Sequence, residues 1–443
     1  MDLFILLLNV IFYSNSQIIF EFKRDLNLNE TMPDKEIFTT IAYNDLYTYI
    51  KLGTPEKELK VSISFEEKSL VILGSKINRL NVFNESNSDT YKKISDEIYL
   101  IRNQIFNGYI SEDIIKLNKL SLKIKFFLGE EIYKEKYSFN DEYEPINYAG
   151  YLGLAITSLF NGELPDSLPI YLYNNYKDDY NFKLPFSIIF DNLKNKAYKG
   201  KLILNGFPHE YNNLYNVKNY ISSTIQYNED NLNDWCLALD NVYYGNNIVD
   251  ENKKIIFRPE FGIIIVSGTF FNYLTDNYFK EYEKENICNL TTFDLIGYSY
   301  NYYYCSKKID LKKFKEINFE LKDINFNFSI NYEDLFFEYN NKYYFLMIAK
   351  NYKNNNFVFG SILMKKYNFV FDKYNRKIGF YTDLNVKKKK NIWLICSISI
   401  LCVLIIIVLI FIIWNYYFKI ERNLRKNEIN DDYNYVSKED SIN

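Results

Sequence analysis

The strongest constraint on the fold is a three-part pattern that occurs twice along the chain. Each copy has a strand and turn, then a buried apolar run, and later two apolar residues followed by glycine. The copies lie at residues 63–67, 70–73 and 151–153, and again at residues 257–261, 263–266 and 358–360. Recurrence in the same order indicates two related units in tandem rather than one repeat found by chance.

Strand-like periodicity dominates residues 41–385. Leu59, Val61 and Ile63 alternate with polar residues, and residues 324–330 alternate in the same way, so both segments predict half-buried strands. The chain also holds 43 Tyr and 36 Phe, which favour strands. We therefore expect an all-β protein with few helices.

Charge and histidine content exclude several functions. Lys and Arg number 53 against 56 Asp and Glu, so no global field would hold a nucleic acid. The single histidine, His209, follows Gly206-Phe207-Pro208 and is interpreted as a surface-loop residue. One histidine cannot form a His-rich zinc site, and we expect no metal and no cofactor.

Both ends of the chain carry apolar segments. Residues 4–13 are too short to span a bilayer and precede Ser14-Asn15-Ser16, so residues 1–16 are interpreted as a signal peptide, with an uncleaved anchor as the alternative. Residues 392–414 form an uncharged run of 23 residues, which predicts a transmembrane helix. A cleaved signal makes the chain a single-pass type I membrane protein of the secretory pathway, the cell surface or an endosomal or vacuolar membrane. Residues 415–443 are then a cytosolic tail.

The exported part contains features of an oxidising compartment. We predict a disulfide between Cys288 and Cys305, two of the three cysteines outside the membrane segment. Four sequons predict glycosylation, at Asn29, Asn84, Asn289 and Asn327.

Several motifs in order resemble the pepsin family of aspartic proteases. Residues 49–55 (YIKLGTP) resemble its opening motif, and residues 148–154 (YAGYLGL) and 185–187 (PFS) resemble later first-lobe motifs. The most specific match is the closing stretch, residues 357–380 (FVFGSILMKKYNFVFDKYNRKIGF). The resemblance implies a two-lobed fold with a central cleft, an N-terminal segment at 17–40 and lobes at 41–195 and 196–385.

The catalytic loops depart from that family. In the family each lobe supplies an aspartate, and the two carboxyls share one proton to activate water. Here the two positions hold Ser64 and Arg258, and no Asp lies between residues 46 and 88 or between 251 and 275. The family also has a tyrosine on a segment called the flap. Counting back from Gly108 places the corresponding position at Ile101. The resemblance therefore implies a degenerate member without a catalytic dyad.

Three functions remain open at this stage. The leading one is a non-catalytic protein that binds a peptide or protein in the cleft, where Arg258 would favour a carboxylate-bearing ligand. The second is an active endopeptidase that uses Glu66 and Glu260 as a substitute dyad. The competing interpretation of these two glutamates is that both are solvated surface charges. The third is a structural or adhesive surface glycoprotein whose cleft is closed.

Overall fold

The computed structural model describes most of residues 17–382. The described residues are 17–382 without 44, 78–81, 102–103, 134–147, 157–164, 192–197, 211, 213–214, 227–233, 296–297 and 351–355, together with 408, 411–415, 417 and 418. The chain divides into two compact units, Met1–Asp383 and Leu384–Asn443. Within the described residues no helix is both long and apolar enough to cross a membrane. The predicted signal peptide and most of the predicted membrane span and tail lie outside the described residues.

The first half of the larger unit is built mainly of strands. Its elements are β1 (Ile18–Arg24), α1 (Asp34–Tyr43), β2 (Tyr47–Leu52), β3 (Lys57–Ser64), β4 (Leu70–Leu73), β5 (Lys92–Ile101), β6 (Gln104–Leu117), β7 (Leu120–Tyr133), β8 (Gly150–Gly153), α2 (Leu168–Tyr180), β9 (Phe186–Phe190) and β10 (Tyr198–Leu204).

The second half follows the same scheme with short helices. Its elements are β11 (Tyr220–Thr224), β12 (Cys236–Tyr244), β13 (Asn247–Glu251), β14 (Lys254–Phe257), β15 (Ile264–Val266), α3 (Gly268–Leu274), α4 (Lys280–Lys284), β16 (Cys288–Leu295), β17 (Tyr298–Ser306), β18 (Ile317–Leu321), β19 (Asn327–Ile330), α5 (Tyr332–Leu335), β20 (Phe336–Tyr339), β21 (Lys342–Phe345), β22 (Met347–Lys350), β23 (Phe357–Phe359), α6 (Ser361–Met364), β24 (Phe369–Asp372) and β25 (Lys377–Tyr381). The predicted mainly β class is confirmed.

The repeat seen in the sequence is a repeat of strand pairing. In the first half β3 runs parallel to β8, while β4 is antiparallel to β8 and parallel to β7. In the second half β14 runs parallel to β23, while β15 is antiparallel to β23 and parallel to β22. The two predicted apolar runs are therefore equivalent central strands, β4 and β15. Of the predicted strand at residues 324–330, only Asn327–Ile330 pairs, because the chain turns tightly where Phe326 N donates to Ile324 O.

Glycine ends the repeated motif in both halves because the backbone of the preceding turn lies against it. A Cβ atom on Gly153 would stand 2.4 Å from Ser69 O and 2.5 Å from Glu67 O. On Gly360 it would stand 2.4 Å from Ile263 O and 2.3 Å from Phe261 O. No side chain fits at such distances, so the glycine fixes how closely each turn packs on its neighbouring strand.

A layer of strands drawn from both halves joins them. Its order is β1, β10 and β9 from the first half, then β24, β25 and β11 from the second, with neighbours antiparallel. β1 follows strict alternation, since Ile18, Phe20, Phe22 and Arg24 are buried while the residues between them are more exposed. An arginine thus occupies the last inward position of an otherwise apolar face.

Helix α1 belongs to the first half in sequence but packs on the second. Acidic Asp34 and Glu36 lie in its first turn, which suits the positive end of a helix, and Asp34 also accepts hydrogen bonds from Lys342 and Tyr344. Phe38 is buried and stacks on Tyr302 with ring centroids 3.9 Å apart. The helix is thereby fixed to the second half along its length.

The predicted disulfide is present between Cys288 and Cys305, which face each other across β16 and β17. Cys236 is a buried thiol, and burial raises its pKa to about 12, so it stays protonated. The four sequon asparagines, Asn29, Asn84, Asn289 and Asn327, are all exposed. Their glycosylation remains a prediction.

Candidate functional site at the junction of the two halves

Two loops of equal length occupy the same place in the repeated strand pattern. We name residues 64–69 the first loop and residues 258–263 the second loop. The first connects β3 to β4 and the second connects β14 to β15. Gly153 N donates to Ser69 O, and Gly360 N donates to Ile263 O, so both loops end on the same backbone contact. Ser64 and Arg258 therefore occupy equivalent positions in the two loops.

Ser64 is committed to the turn of its own loop. Its side chain is buried, and its Oγ accepts hydrogen bonds from Glu67 N at 3.1 Å and Glu66 N at 3.3 Å. These contacts hold the loop in a tight turn, as serine hydroxyls commonly do. A hydroxyl in this role is not a base near neutral pH.

Phe65 anchors the first loop in the core. Its ring is fully buried and packs edge-on against Phe371 at 4.8 Å and Phe186 at 5.8 Å. Phe186 and Phe371 belong to β9 and β24, at the centre of the joining layer. Apolar burial and edge-to-face ring contacts thus hold this loop in place.

Arg258 forms an ion pair at the floor of the junction. It is 7% exposed, and its Nη2 donates to Asp234 Oδ1 of a carboxylate that is also buried. The other terminal nitrogen, Nη1, is buried and has no hydrogen-bond partner among the described residues. Neither half supplies an aspartate at the equivalent loop positions, and the hydrogen bond seen here joins a carboxylate to an arginine.

The guanidinium of Arg258 stays protonated. Burial alone lowers the pKa of Arg258, but the negative charges of Asp234, Glu66, Glu260 and Glu67 outweigh it and raise that pKa above its ordinary value. Arg258 therefore stays a cation near neutral pH and in the acid range, and it cannot share a proton with a carboxylate.

Arg24, at the end of β1, holds the second loop by hydrogen bonds to its backbone. Its guanidinium is fully buried and donates to Glu260 O at 2.8 Å, Pro259 O at 3.0 Å and Ser361 Oγ at 2.8 Å. Charge-assisted bonds of this kind are the stronger class. At the end of the same loop, Gly262 N donates to Ala42 O of helix α1 at 2.7 Å. The N-terminal part of the chain thus holds the second loop.

A short chain of contacts joins the two loops. Leu154 N donates to Ser64 O at 2.8 Å, and Leu154 O accepts from the buried indole of Trp235 at 2.8 Å. Trp235 is next in sequence to Asp234, the partner of Arg258. The two equivalent positions are therefore linked through one residue of the first half and two of the second.

The two glutamates proposed as a substitute dyad lie in different surroundings. Glu66 is exposed, whereas Glu260 is 1% exposed. The interpretation of both as solvated surface charges is therefore wrong for Glu260. It is buried because Arg24 and the end of α1 cover the second loop, and nothing comparable covers Glu66 in the described part of the chain.

The segment assigned to the flap forms a long hairpin of β5 and β6. Ile101 ends β5 and pairs with Gln104, and Gly108 lies in β6 opposite Gly129 where the register shifts. Backbone carbonyl Leu128 O would lie 2.0 Å from a Cβ atom on Gly108, so that position admits only glycine. The hairpin is present, although its tip, residues 102–103, lies outside the described residues.

His209 takes no part in this site. It is half-buried on a 3-10 turn, Pro208–Glu210, rather than in an open surface loop. Its Nδ1 lies 2.6 Å from Tyr381 Oη, and burial lowers the pKa of the imidazole below its usual value. Over the part of the chain that is described, no group of three or more His, Cys, Asp or Glu side chains is arranged to hold a metal ion.

Sequence reasoning missed two residues of the site, Arg24 and Asp234. Asp234 precedes β12 without any pattern that marks it. Arg24 had a usable signal, because it stands at an inward position of an alternating apolar strand, where a charge needs a buried partner.

The fold and the paired loops define a β protein made of two related halves, with the strand arrangement expected of a pepsin-like enzyme. The family model for eukaryotic aspartyl protease matches residues 45–382, and the chain belongs to that family. No curated protein matches the chain.

Proposed function

We propose that the chain is a non-catalytic member of the aspartyl protease family that binds an extended peptide or protein segment in the cleft between its halves. The observation that carries the proposal is the Arg258–Asp234 ion pair at the position of the second catalytic aspartate. The reaction needs two carboxyls that share one proton, and a permanent cation cannot replace either. Ser64, at the first position, holds its own loop instead.

Binding in a cleft needs shape and hydrogen bonds, not catalytic aspartates. The hairpin of β5 and β6 and the two loops are retained, which supports a binding role over a purely structural one. We further propose that a cleaved signal peptide and the apolar run at residues 392–414 make the protein a single-pass membrane protein. Residues 17–391, which contain both halves, then face the lumen or the exterior.

An acid-range cleavage assay on the full-length chain tests the lack of catalysis. A mixed peptide library is incubated at several pH values with and without a statine-type transition-state analogue, beside an active family member. We expect no cleavage that the analogue blocks. Analogue-sensitive cleavage that Glu66→Gln abolishes would instead establish an endopeptidase with a substitute dyad.

A further inference from the structure

The only histidine of the chain lies on the connection between the two halves. His209 belongs to the turn Pro208–Glu210, which follows β10 of the first half and precedes β11 of the second. Its Nδ1 lies 2.6 Å from the hydroxyl oxygen of Tyr381, the last residue of β25, and its backbone N donates to the same oxygen at 3.4 Å. One tyrosine hydroxyl thus holds the turn to β25 by two contacts.

Aromatic rings enclose these contacts. The imidazole of His209 stacks on Phe207 with ring centroids 5.3 Å apart and meets Tyr220 edge-on at 5.9 Å. Tyr215 packs edge-on against Tyr381 at 5.0 Å. Tyr381 is buried and His209 is half-buried. Water therefore replaces the hydrogen bond poorly when that bond is lost.

The hydroxyl hydrogen of Tyr381 is assigned to the bond with Nδ1. Burial raises the pKa of Tyr381 well above its usual value, so the hydroxyl keeps its hydrogen. That hydrogen has no other acceptor among the described residues, and a buried donor without an acceptor is costly. Nδ1 is therefore the acceptor, which requires the neutral imidazole with its hydrogen on Nε2.

The charged groups beside His209 do not offset the effect of burial. Glu210 follows in the same turn, and its carboxylate accepts from Lys183 Nζ at 2.8 Å and from Phe207 N at 3.1 Å. Burial lowers the pKa of His209, Glu210 raises it and Lys183 lowers it, and the result lies below the ordinary value of 6.5. The three surrounding tyrosines are kept neutral, because burial raises the pKa of each.

We propose that the contact between His209 and Tyr381 is an acid-sensitive latch, which is closed at neutral pH and opens when the imidazole is protonated. A proton taken from solvent onto Nδ1 removes the acceptor of the hydroxyl hydrogen, so the turn separates from β25. The latch is fully effective above the ordinary histidine pKa of 6.5, and its contribution is lost as the pH falls through the lowered pKa of the folded state. This inference is independent of any ligand in the cleft.

The single histidine allows a direct measurement on the full-length chain. With isotope-labelled histidine, one imidazole signal reports the protonation of His209 by NMR. We expect its midpoint below pH 6.5, and a midpoint closer to 6.5 in Tyr381→Phe, which removes the hydroxyl but keeps the ring. Tyr374→Phe is the same change at an exposed tyrosine between β24 and β25, and it should leave the midpoint unchanged.

Amide hydrogen exchange measures the opening of the turn. Exchange rates of peptides that contain residues 208–210 are corrected for the intrinsic effect of pH and compared at about pH 5 and about pH 7.5. We expect the turn to open about fivefold more readily at the lower pH. His209→Gln keeps an acceptor for the hydroxyl but does not titrate, so its opening should not depend on pH. Tyr381→Phe should open the turn at both pH values.

Three results would overturn the latch. The first is a midpoint of His209 at or above pH 6.5 in the unaltered chain. The second is equal opening of the turn at both pH values, or a pH dependence that persists in His209→Gln and so belongs to another group. The third is an equal response of Tyr374→Phe and Tyr381→Phe, which would show that the hydroxyl of Tyr381 is not the partner.

Discussion

The first and second loops are the same length and end on the same backbone contacts, yet they are held in place by different forces. The first loop buries the ring of Phe65 among aromatic residues of the joining layer. The second loop is held by charged hydrogen bonds from Arg24 and from the Arg258–Asp234 pair. The two loops therefore follow equivalent backbone paths although different interactions hold them in place.

The difference follows from the second residue of each loop. In the first loop Phe65 gains by burial of its ring among aromatic side chains. In the second loop Pro259 has no N–H to donate, and its carbonyl accepts a hydrogen bond from Arg24.

The largest expected effect comes from removing the charged anchor of the second loop. Arg24→Met keeps the length of the side chain but leaves three buried acceptors without their donor. We expect a loss of about 3 to 5 kcal/mol in the free energy of unfolding, measured with denaturant. Lys23→Met, the adjacent residue on the opposite face of β1, should change it by about 0.5 kcal/mol or less. An equally small effect of Arg24→Met would mean that helix α1 alone holds the loop.

A smaller effect is expected from the ion pair. Asp234→Asn leaves Arg258 buried beside a neutral amide, which should cost about 2 to 3 kcal/mol. Combining it with Arg258→Met removes the stranded charge, so the double variant should be more stable than the sum of the single losses predicts. Asp240→Asn, at an exposed position on the following strand, serves as the control. Strict additivity would show that the pair is not coupled.

The smallest effect is expected in the first loop. Ser64→Ala removes the acceptor of Glu66 N and Glu67 N, and we expect a loss of about 1 kcal/mol because the ring of Phe65 still anchors the loop. Thermal and denaturant unfolding both report the change. A loss as large as that of Arg24→Met would contradict the view that the first loop depends on apolar burial.

The sequence predicted the fold well because the repeat, the apolar runs and the closing motif are local patterns. Residues 70–73 form β4, and residues 263–266 contain β15. Gly153 ends β8 and Gly360 follows β23, the strands with which β4 and β15 pair. The disulfide followed from the small number of cysteines outside the apolar run at residues 392–414. Equivalent loop positions, Ser64 and Arg258, could be assigned because both loops sit at fixed offsets from these runs.

The electrostatics of the site could not be predicted in the same way. Arg24 lies 235 positions before Pro259 and 236 positions before Glu260, the residues to which it donates. No periodicity in the sequence connects residues so far apart. Glu66 and Glu260 look identical in sequence, but helix α1 and Arg24 cover only the second loop. Burial depends on which distant segment packs on a loop, so it had to come from the structure.

The joining layer also determines how the protein would carry mechanical load. β25 has a hydrogen-bonded neighbour on each side, β24 and β11, and it is the last strand in the part of the chain that the structure describes. A pull on the chain beyond Tyr381 is therefore shared by the hydrogen bonds on both edges of β25. Tension is therefore borne first by the layer common to both halves.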